Sequence, residues 1–548
     1  MKMMAVRNAI AIVALAATQV AALTPAGPWL AASNPRPGSA PGSGISANTT
    51  IKTYNMSVPI DHFHNETKYE PHSDGYFNLR YMVDTSHYQE GGPVIILHSG
   101  EFNIEGRLPY LEHGIASILA KATGGVGIVL EHRYYGQSWP TNETDTKSYR
   151  FLTTDQALAD TAYFSKNLKV SGLDQHNLTA PGTPHILYGG SYAGGLVALA
   201  RKLYPDVFWG AISSSGVTAV INDFWQYLEA TRYFSPGDCS STIQRLTDVI
   251  DKQLLSGDKK REDEIKSLFG LRDLWNDEFA SLILQAQGSL QETNWIPAKD
   301  DTGFGTFCAV ISSDAALFAS TAHLRQRVRT AVQDAGYAAE PLTSRLLNLI
   351  GFVKNMVKQQ LKENGCKKAS RECLSARFAT DDPRHDWSRS WLYQTCTEWG
   401  YFVNGASTPK DRLPMISRAL GLEYSSYGCK LSFNITTLPD VNIINKHGGF
   451  NLSYPRVAFI DGKQDPWRAG GTHAIGQPGR ESTPSEPFEL IDWGVHHWDE
   501  YGLSEDDEEP GLPPQQIVDI QRKEVEIVKH WLKEFKALHA RSGGDIEL

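Results

Sequence analysis

The segment 186–195, Ile-Leu-Tyr-Gly-Gly-Ser-Tyr-Ala-Gly-Gly, constrains this chain more than any other stretch. An apolar run ends in a turn of small residues with Ser191 at its apex, and a helical pattern starts at once with Tyr192. Small side chains let a strand turn into a helix within a few residues, and the strain leaves the serine oxygen exposed above the sheet edge, the arrangement called a nucleophile elbow. The usual pattern is G-x-S-x-G. Its last position here is Ala193, one methyl larger, which the turn is expected to tolerate. A small-residue packing turn or a phosphate cradle has a similar composition, so the surrounding elements decide.

Those elements agree with an elbow. Between about 75 and 215, apolar runs at 94–97, 127–130, 186–188 and 211–213 alternate with helical patterns at 110–122, 154–168 and 192–203. Such alternation predicts a parallel sheet with helices on both faces. From about 218 to 440 the rhythm stops, and apolar residues recur at spacings of three and four, as in Leu346, Leu347, Ile350, Val353, Met356 and Val357. This predicts a helical insert. Strand patterns return at 456–460 and 488–491, and a last amphipathic helix carrying Ile517, Val525, Val528, Trp531, Leu532, Phe535 and Leu538 is expected to cover one face of the sheet.

The expected organisation is therefore a signal peptide (1–22), a Pro/Gly/Ala/Ser-rich linker or propeptide (23–50), a first α/β part (51–217), a helical cap (218–445) and a second α/β part (446–548). Lys2 and Arg7 precede an apolar run at 9–20, and Val20-Ala21-Ala22 supplies the small residues before a cleavage site. Gln19 and Pro25 end that run before the roughly 20 apolar residues that a membrane anchor needs. Seven N-x-S/T triplets, at Asn48, Asn55, Asn65, Asn142, Asn177, Asn434 and Asn451, fit a chain that is secreted or delivered to a vacuolar or lysosomal lumen. The six cysteines all lie in the insert. Three disulfides are expected, with Cys366 to Cys373 closing a short loop and Cys396 to Cys429 a longer one; zinc is disfavoured because there is no pair of C-x-x-C knuckles. With 52 Lys+Arg against 62 Asp+Glu there is no basic excess to follow a phosphate backbone, so nucleic acid is not an expected partner. The acidic run 505–509 reads as a solvated loop. Oligomeric state is open, a homodimer among the options.

A serine nucleophile needs a base and an acid to orient it, and on such sheets the acid and then the histidine follow the serine in chain order. After the 456–460 strand come Asp461 and, past Gly462, Asp465, which lies far enough into the loop to turn toward the elbow. After the 488–491 strand come His496 and His497. Spacing alone does not choose between them. Backbone N–H groups of Tyr192 and of Gly100 or Glu101, after the first strand, are the candidates for an oxyanion hole. A metal cluster of His496, His497, Asp499 and Glu500 is the competing reading, but no H-E-x-x-H pattern accompanies it, and neither metal nor cofactor is expected.

Five separated motifs carry a resemblance: Glu131-His132-Arg133-Tyr134-Tyr135-Gly136-Gln137-Ser138, the 152–160 stretch LTTDQALAD, Gly189-Gly190-Ser191-Tyr192, Asp465-Pro466-Trp467, and Gly494-Val495-His496-His497. In this order they resemble the family of prolyl carboxypeptidase, dipeptidyl peptidase II and acid prolyl endopeptidases, from about Val58 to the final helix, with 391–398 (WLYQTCTE) matching inside the insert. The resemblance implies an α/β-hydrolase domain, a cap over the active site, and cleavage of proline-containing peptides on the carboxyl side of proline. Carried over residue by residue, the nucleophile is Ser191, the acid Asp465 and the base His496. Trp467, beside Asp465, is placed to wall the proline pocket, with plain core packing the competing reading, and Tyr192 is the other pocket candidate. Other acyl hydrolases of the lipase and esterase type, and a catalytically silent binding relative, share the fold. The motifs and the cysteine-bearing insert favour the peptidase.

Overall fold

The computed structural model describes residues 51–297, 299–300, 303–378, 386–504 and 509–542. The expected signal peptide and linker, and most of the acidic run, lie outside these residues. Among the described residues ten strands form two sheets: β1 (Lys52–Pro59), β2 (Tyr76–Asp84), β3 (Val94–His98), β4 (Val126–Leu130), β5 (His185–Gly190), β6 (Gly210–Ser214), β7 (Ile221–Asp223), β8 (Gly400–Phe402), β9 (Val457–Gly462) and β10 (Phe488–Ile491). The main sheet runs β1-β2-β4-β3-β5-β6-β9-β10. From β4 to β10 every pair is parallel; β1 and β2 join antiparallel at one edge.

Central strands buried on both faces need apolar residues on both sides. Val94, Ile95, Ile96 and Leu97 of β3 are all fully buried, which is why they read as an unbroken apolar run rather than an alternating one. The antiparallel edge escaped the sequence reading: β1 carries exposed Lys52, Thr53, Asn55 and Ser57, so its pattern lacks the buried-strand signature. Another difference lies in the 110–122 helix, which is two helices, Leu108–Glu112 and Ile115–Thr123, split at Gly114, where a Cβ would meet the Glu500 carbonyl oxygen at 2.7 Å. The final helix, Gln515–Ser542, buries Ile517, Val528 and Trp531 as expected but leaves Leu538 about half exposed.

Between β6 and β9 the described residues are mainly helical, including Cys239–Leu254 and Leu342–Glu363, with the β7–β8 ribbon among them. Disulfides join Cys239 to Cys308, Cys366 to Cys373 and Cys396 to Cys429. The parallel topology, helices on both faces and a helical excursion before the last two strands make this an α/β-hydrolase fold.

Candidate active site

The elbow is built as its composition requires. Ser191 has φ 58° and ψ −124°, a conformation that costs an L-residue free energy. It is held by the Ser191 N–H donating to the Ser214 carbonyl at 2.9 Å. The helix Tyr192–Leu203 starts immediately afterwards and crosses so close to the sheet that its glycines have no room for a side chain. A Cβ on Gly189 would sit 2.2 Å from the Ala193 carbonyl oxygen, and one on Gly195 2.0 Å from that of Val217. Ala193 is accommodated because its methyl faces Gly100, whose own Cβ would lie 3.1 Å away. Gly195→Ala is therefore expected to destabilise the protein by about 1–3 kcal/mol, the range for forced overpacking, read as a lowered midpoint in urea.

Two loops at the carboxyl ends of β9 and β10 bring the acid and base candidates together. Asp465 and His496 are buried, and His496 Nδ1 lies 2.8 Å from Asp465 Oδ2. Asp465 Oδ1 accepts the Trp467 N–H at 2.8 Å. Burial pushes the Asp465 carboxyl up, but the charge and hydrogen bond of His496, the Ser215 hydroxyl and the Trp467 N–H outweigh it and hold the acid below its ordinary range. The other His496 nitrogen, Nε2, is buried without a hydrogen-bond partner.

The neighbouring acid and histidine, Asp461 and His497, are committed elsewhere. Asp461 bonds His473 Nδ1 at 2.6 Å, bracing the loop that carries Asp465. His497 donates its N–H to Ser215 Oγ at 2.8 Å, and its Nδ1 lies 3.1 Å from Glu500 Oε2 in a contact too poorly directed for a hydrogen bond. Asp499 turns the other way, accepting hydrogen bonds from Tyr188 at 2.6 Å and Ser214 at 2.7 Å. Asp499 thus points away from the two histidines, and among the described residues no group of three or more His, Cys, Asp or Glu is arranged to hold a metal.

Around Ser191 the separated motifs meet on one residue. Burial lowers the His132 imidazole to about 4, so it is neutral; its Nδ1 lies 2.6 Å from the Arg133 carbonyl, which only a protonated Nδ1 can serve. His132 Nε2 is then an acceptor for the Tyr192 hydroxyl at 3.0 Å, and Gln394 Nε2 donates to the same hydroxyl at 2.7 Å. Trp391 and Trp399 pack edge-on against the Tyr192 ring. Arg133 in turn makes two 2.6 Å bonds to Asp160. His132 and Gln394 stood inside quoted motifs, yet their convergence on Tyr192 had no sequence signal.

Of the oxyanion candidates, the Gly100 N–H already donates to His98 Nδ1 at 3.2 Å. Trp467 stands in an aromatic cluster with Phe224, Tyr227 and Tyr401, at centroid distances of 5.7, 5.2 and 5.3 Å. Its indole N–H donates to Gln291 Oε1 at 2.5 Å, and the Tyr227 hydroxyl donates to the same oxygen at 2.7 Å. Gln291, Phe224 and Tyr227 were missed from sequence, because nothing local links them to a residue roughly two hundred positions later.

A strained serine at a strand-to-helix turn on a mostly parallel sheet, with an acid–histidine pair in the last two loops, defines a serine hydrolase of the α/β-hydrolase class. Residues 58–512 match the peptidase family described as serine carboxypeptidase S28, and the chain belongs to that family. It is 45% identical over 493 residues to a probable extracellular serine carboxypeptidase of Arthroderma benhamiae, covering 89% of this chain and 68% of that one. It is 26% identical to prolyl carboxy peptidase like protein 5 of Caenorhabditis elegans, covering 87% and 89%, and 27% identical to human thymus-specific serine protease, covering 77% of each chain.

Proposed function

We propose that this serine peptidase is an extracellular enzyme that cleaves on the carboxyl side of proline through Ser191, Asp465 and His496. The observation that carries the reading is the state of His496: Nδ1 is tied to Asp465 at 2.8 Å while Nε2 is buried and unpartnered, as a general base needs before substrate arrives. Ser191 and the histidine loop both rest on the end of β6, through the Ser214 carbonyl and the Ser215 hydroxyl. In the proposed cycle His496 takes the Ser191 proton as the oxygen attacks the substrate carbonyl. Asp465 stabilises the imidazolium, and the Tyr192 and Glu101 N–H groups receive the oxyanion. His496 then protonates the departing amine, and water repeats the sequence on the acyl enzyme. Secretion is supported by the sequence of the N-terminus and by the extracellular assignment in the name of the Arthroderma relative.

Proline specificity is supported by the aromatic cluster of Trp467, Phe224, Tyr227 and Tyr401 beside Asp465. A proline ring is apolar and rigid and has no N–H to satisfy, so flat aromatic walls suit it. The 218–445 segment acts in this reading as the cap, contributing Phe224, Tyr227, Tyr401 and Gln291 to the pocket. The test is digestion of a peptide set carrying one proline at varied distances from each end, read by mass spectrometry. Cuts confined to Pro-Xaa bonds are expected. Cuts indifferent to proline, or hydrolysis of simple esters with peptides untouched, would sink the specificity.

A further inference from the structure

We propose that segment 289–295 of the insert is a strap that positions the acid and the base of the triad relative to each other, with Gln291 holding the Asp465 loop and Trp295 the His496 loop. This rests on the Ser191–Asp465–His496 reading above and deepens it. The strap residues are positioning residues: they act through the two loops and touch no reacting atom.

The anchor points are placed alike on the two loops. Trp467 follows Asp465 by two positions, and Trp498 follows His496 by two. Trp467 donates its indole N–H to Gln291 Oε1 at 2.5 Å, and Trp498 donates its indole N–H to the Thr293 carbonyl at 2.9 Å. Trp295 bonds the base loop in return, its indole N–H reaching the Trp498 carbonyl at 2.9 Å. Tryptophan donors thus tie both triad loops to one short stretch of the insert.

That stretch is braced by its own hydrogen bonds. Leu290–Glu292 form a 3-10 turn capped by Ser289, whose Oγ accepts the Gln291 N–H at 3.2 Å. Thr293 Oγ1 donates to the Leu290 carbonyl at 2.8 Å, and the Asn294 N–H donates to Asp300 Oδ1 at 2.8 Å. An indole N–H can only donate, so the buried Gln291 atom facing Trp467 is its oxygen, and the Tyr227 hydroxyl 2.7 Å from that oxygen donates to it as well. The Ser289 hydroxyl, 3.0 Å from that of Tyr227, then donates to Tyr227. Both lone pairs of one oxygen are used, and the direction of each bond from Ser289 to Trp467 is fixed.

Alignment is what such a strap supplies. The Asp465 and His496 loops leave different strands, β9 and β10, and meet through the 2.8 Å contact between the two side chains. A displacement of about 1 Å in a catalytic group can cost on the order of 10²-fold in rate. The insert therefore sets the acid–base geometry as well as lining the pocket.

Gln291→Leu and Trp295→Phe each release one loop while keeping most of the apolar bulk. Each should lower kcat on a Pro-Xaa peptide about 10- to 100-fold, with KM changed by less than about threefold, and should slow fluorophosphonate labelling of Ser191 by a similar factor. Labelling draws on the serine and its base and not on the proline pocket, so a parallel fall in both rates locates the damage in the triad. Gln291→Glu keeps an acceptor for both donors and should recover most of the labelling rate. A raised KM with kcat and labelling unchanged makes Gln291 a pocket residue only and overturns the inference. So does labelling at the wild-type rate in both variants, or Gln291→Glu as slow as Gln291→Leu. Should Gln291→Leu not fold, Trp498→Phe takes its place, removing the indole N–H from Thr293, and the same rates decide. Wild-type enzyme that takes no label removes the serine mechanism beneath the strap, whereas labelled wild type matched by its variants removes the strap alone.

Discussion

Ser191→Ala is expected to lower kcat/KM on a Pro-Xaa peptide by roughly 10³-fold or more while leaving the urea midpoint close to wild type. Alanine removes only the hydroxyl from a backbone that Gly189, Gly194 and Gly195 already hold in place, so the elbow has no reason to move. His496→Ala should be as damaging, since serine and base act as a unit and removing either disables both. His497→Ala should cost far less activity, because its side chain lies against Glu500 and the Tyr501 ring rather than Asp465, and its backbone bond to Ser215 is kept. Asp465→Asn should fall between: the amide keeps the shape of the loop but cannot stabilise the imidazolium. Steady-state kinetics on the four purified variants check the ranking. A wild-type rate from Ser191→Ala, or His497→Ala more damaging than His496→Ala, contradicts it.

The second large effect is on stability against pH. Asp499 and Glu524 are both fully buried and face one another beneath the elbow. Burial, with Asp499 adjacent, pushes the Glu524 carboxyl well above its ordinary range, and burial raises Asp499 as well. Glu398, buried and bonded by the N–H and hydroxyl of Thr154, is pushed up to about 7 by burial. A carboxyl whose folded pKa is raised contributes stability in full below its unfolded value. That stability is lost as pH climbs toward the folded one, at about 1.4 kcal/mol per pH unit for one group. For Glu398 the window runs from its ordinary 4.5 to about 7. The depressed acids, Asp465 and Asp160 among them, act with the opposite sign, losing stability only as pH falls through their lowered values.

Stability should therefore be greatest in the mildly acid range and decline through neutrality. Glu524→Gln removes one raised carboxyl and should flatten that decline, melting above wild type at about pH 7.5 and close to it at about pH 4.5. Melting curves across this range check it; a Glu524→Gln variant less stable than wild type at the alkaline end contradicts the account of the buried pair.

Much of this molecule was legible before its structure, for identifiable reasons. The central strands announced themselves because burial on both faces leaves β3 apolar up to His98 and β4 apolar throughout, and the elbow because helix and sheet approach too closely for anything but Gly and Ala. Asp465 was legible from chain order plus its place in the loop, whereas His496 was separated from His497 only by the family resemblance. What stayed hidden depends on contacts between distant segments. Glu524 sits on the apolar side of an amphipathic helix, where a charged residue reads as an interruption of the stripe; only Asp499, 25 positions earlier, gives it a partner. Gln291 orients Trp467 from an element of the insert with no motif of its own.

The most direct measurement of the central claim is the site and pH dependence of fluorophosphonate labelling, read by peptide mass mapping. One adduct per chain is expected, on Ser191, forming faster as the His496–Asp465 pair loses its proton and unaffected by EDTA. Labelling should fall sharply in His496→Ala and survive in His497→Ala. An adduct on any other serine, or labelling of Ser191 at an undiminished rate in His496→Ala, would contradict the Ser191–His496–Asp465 mechanism.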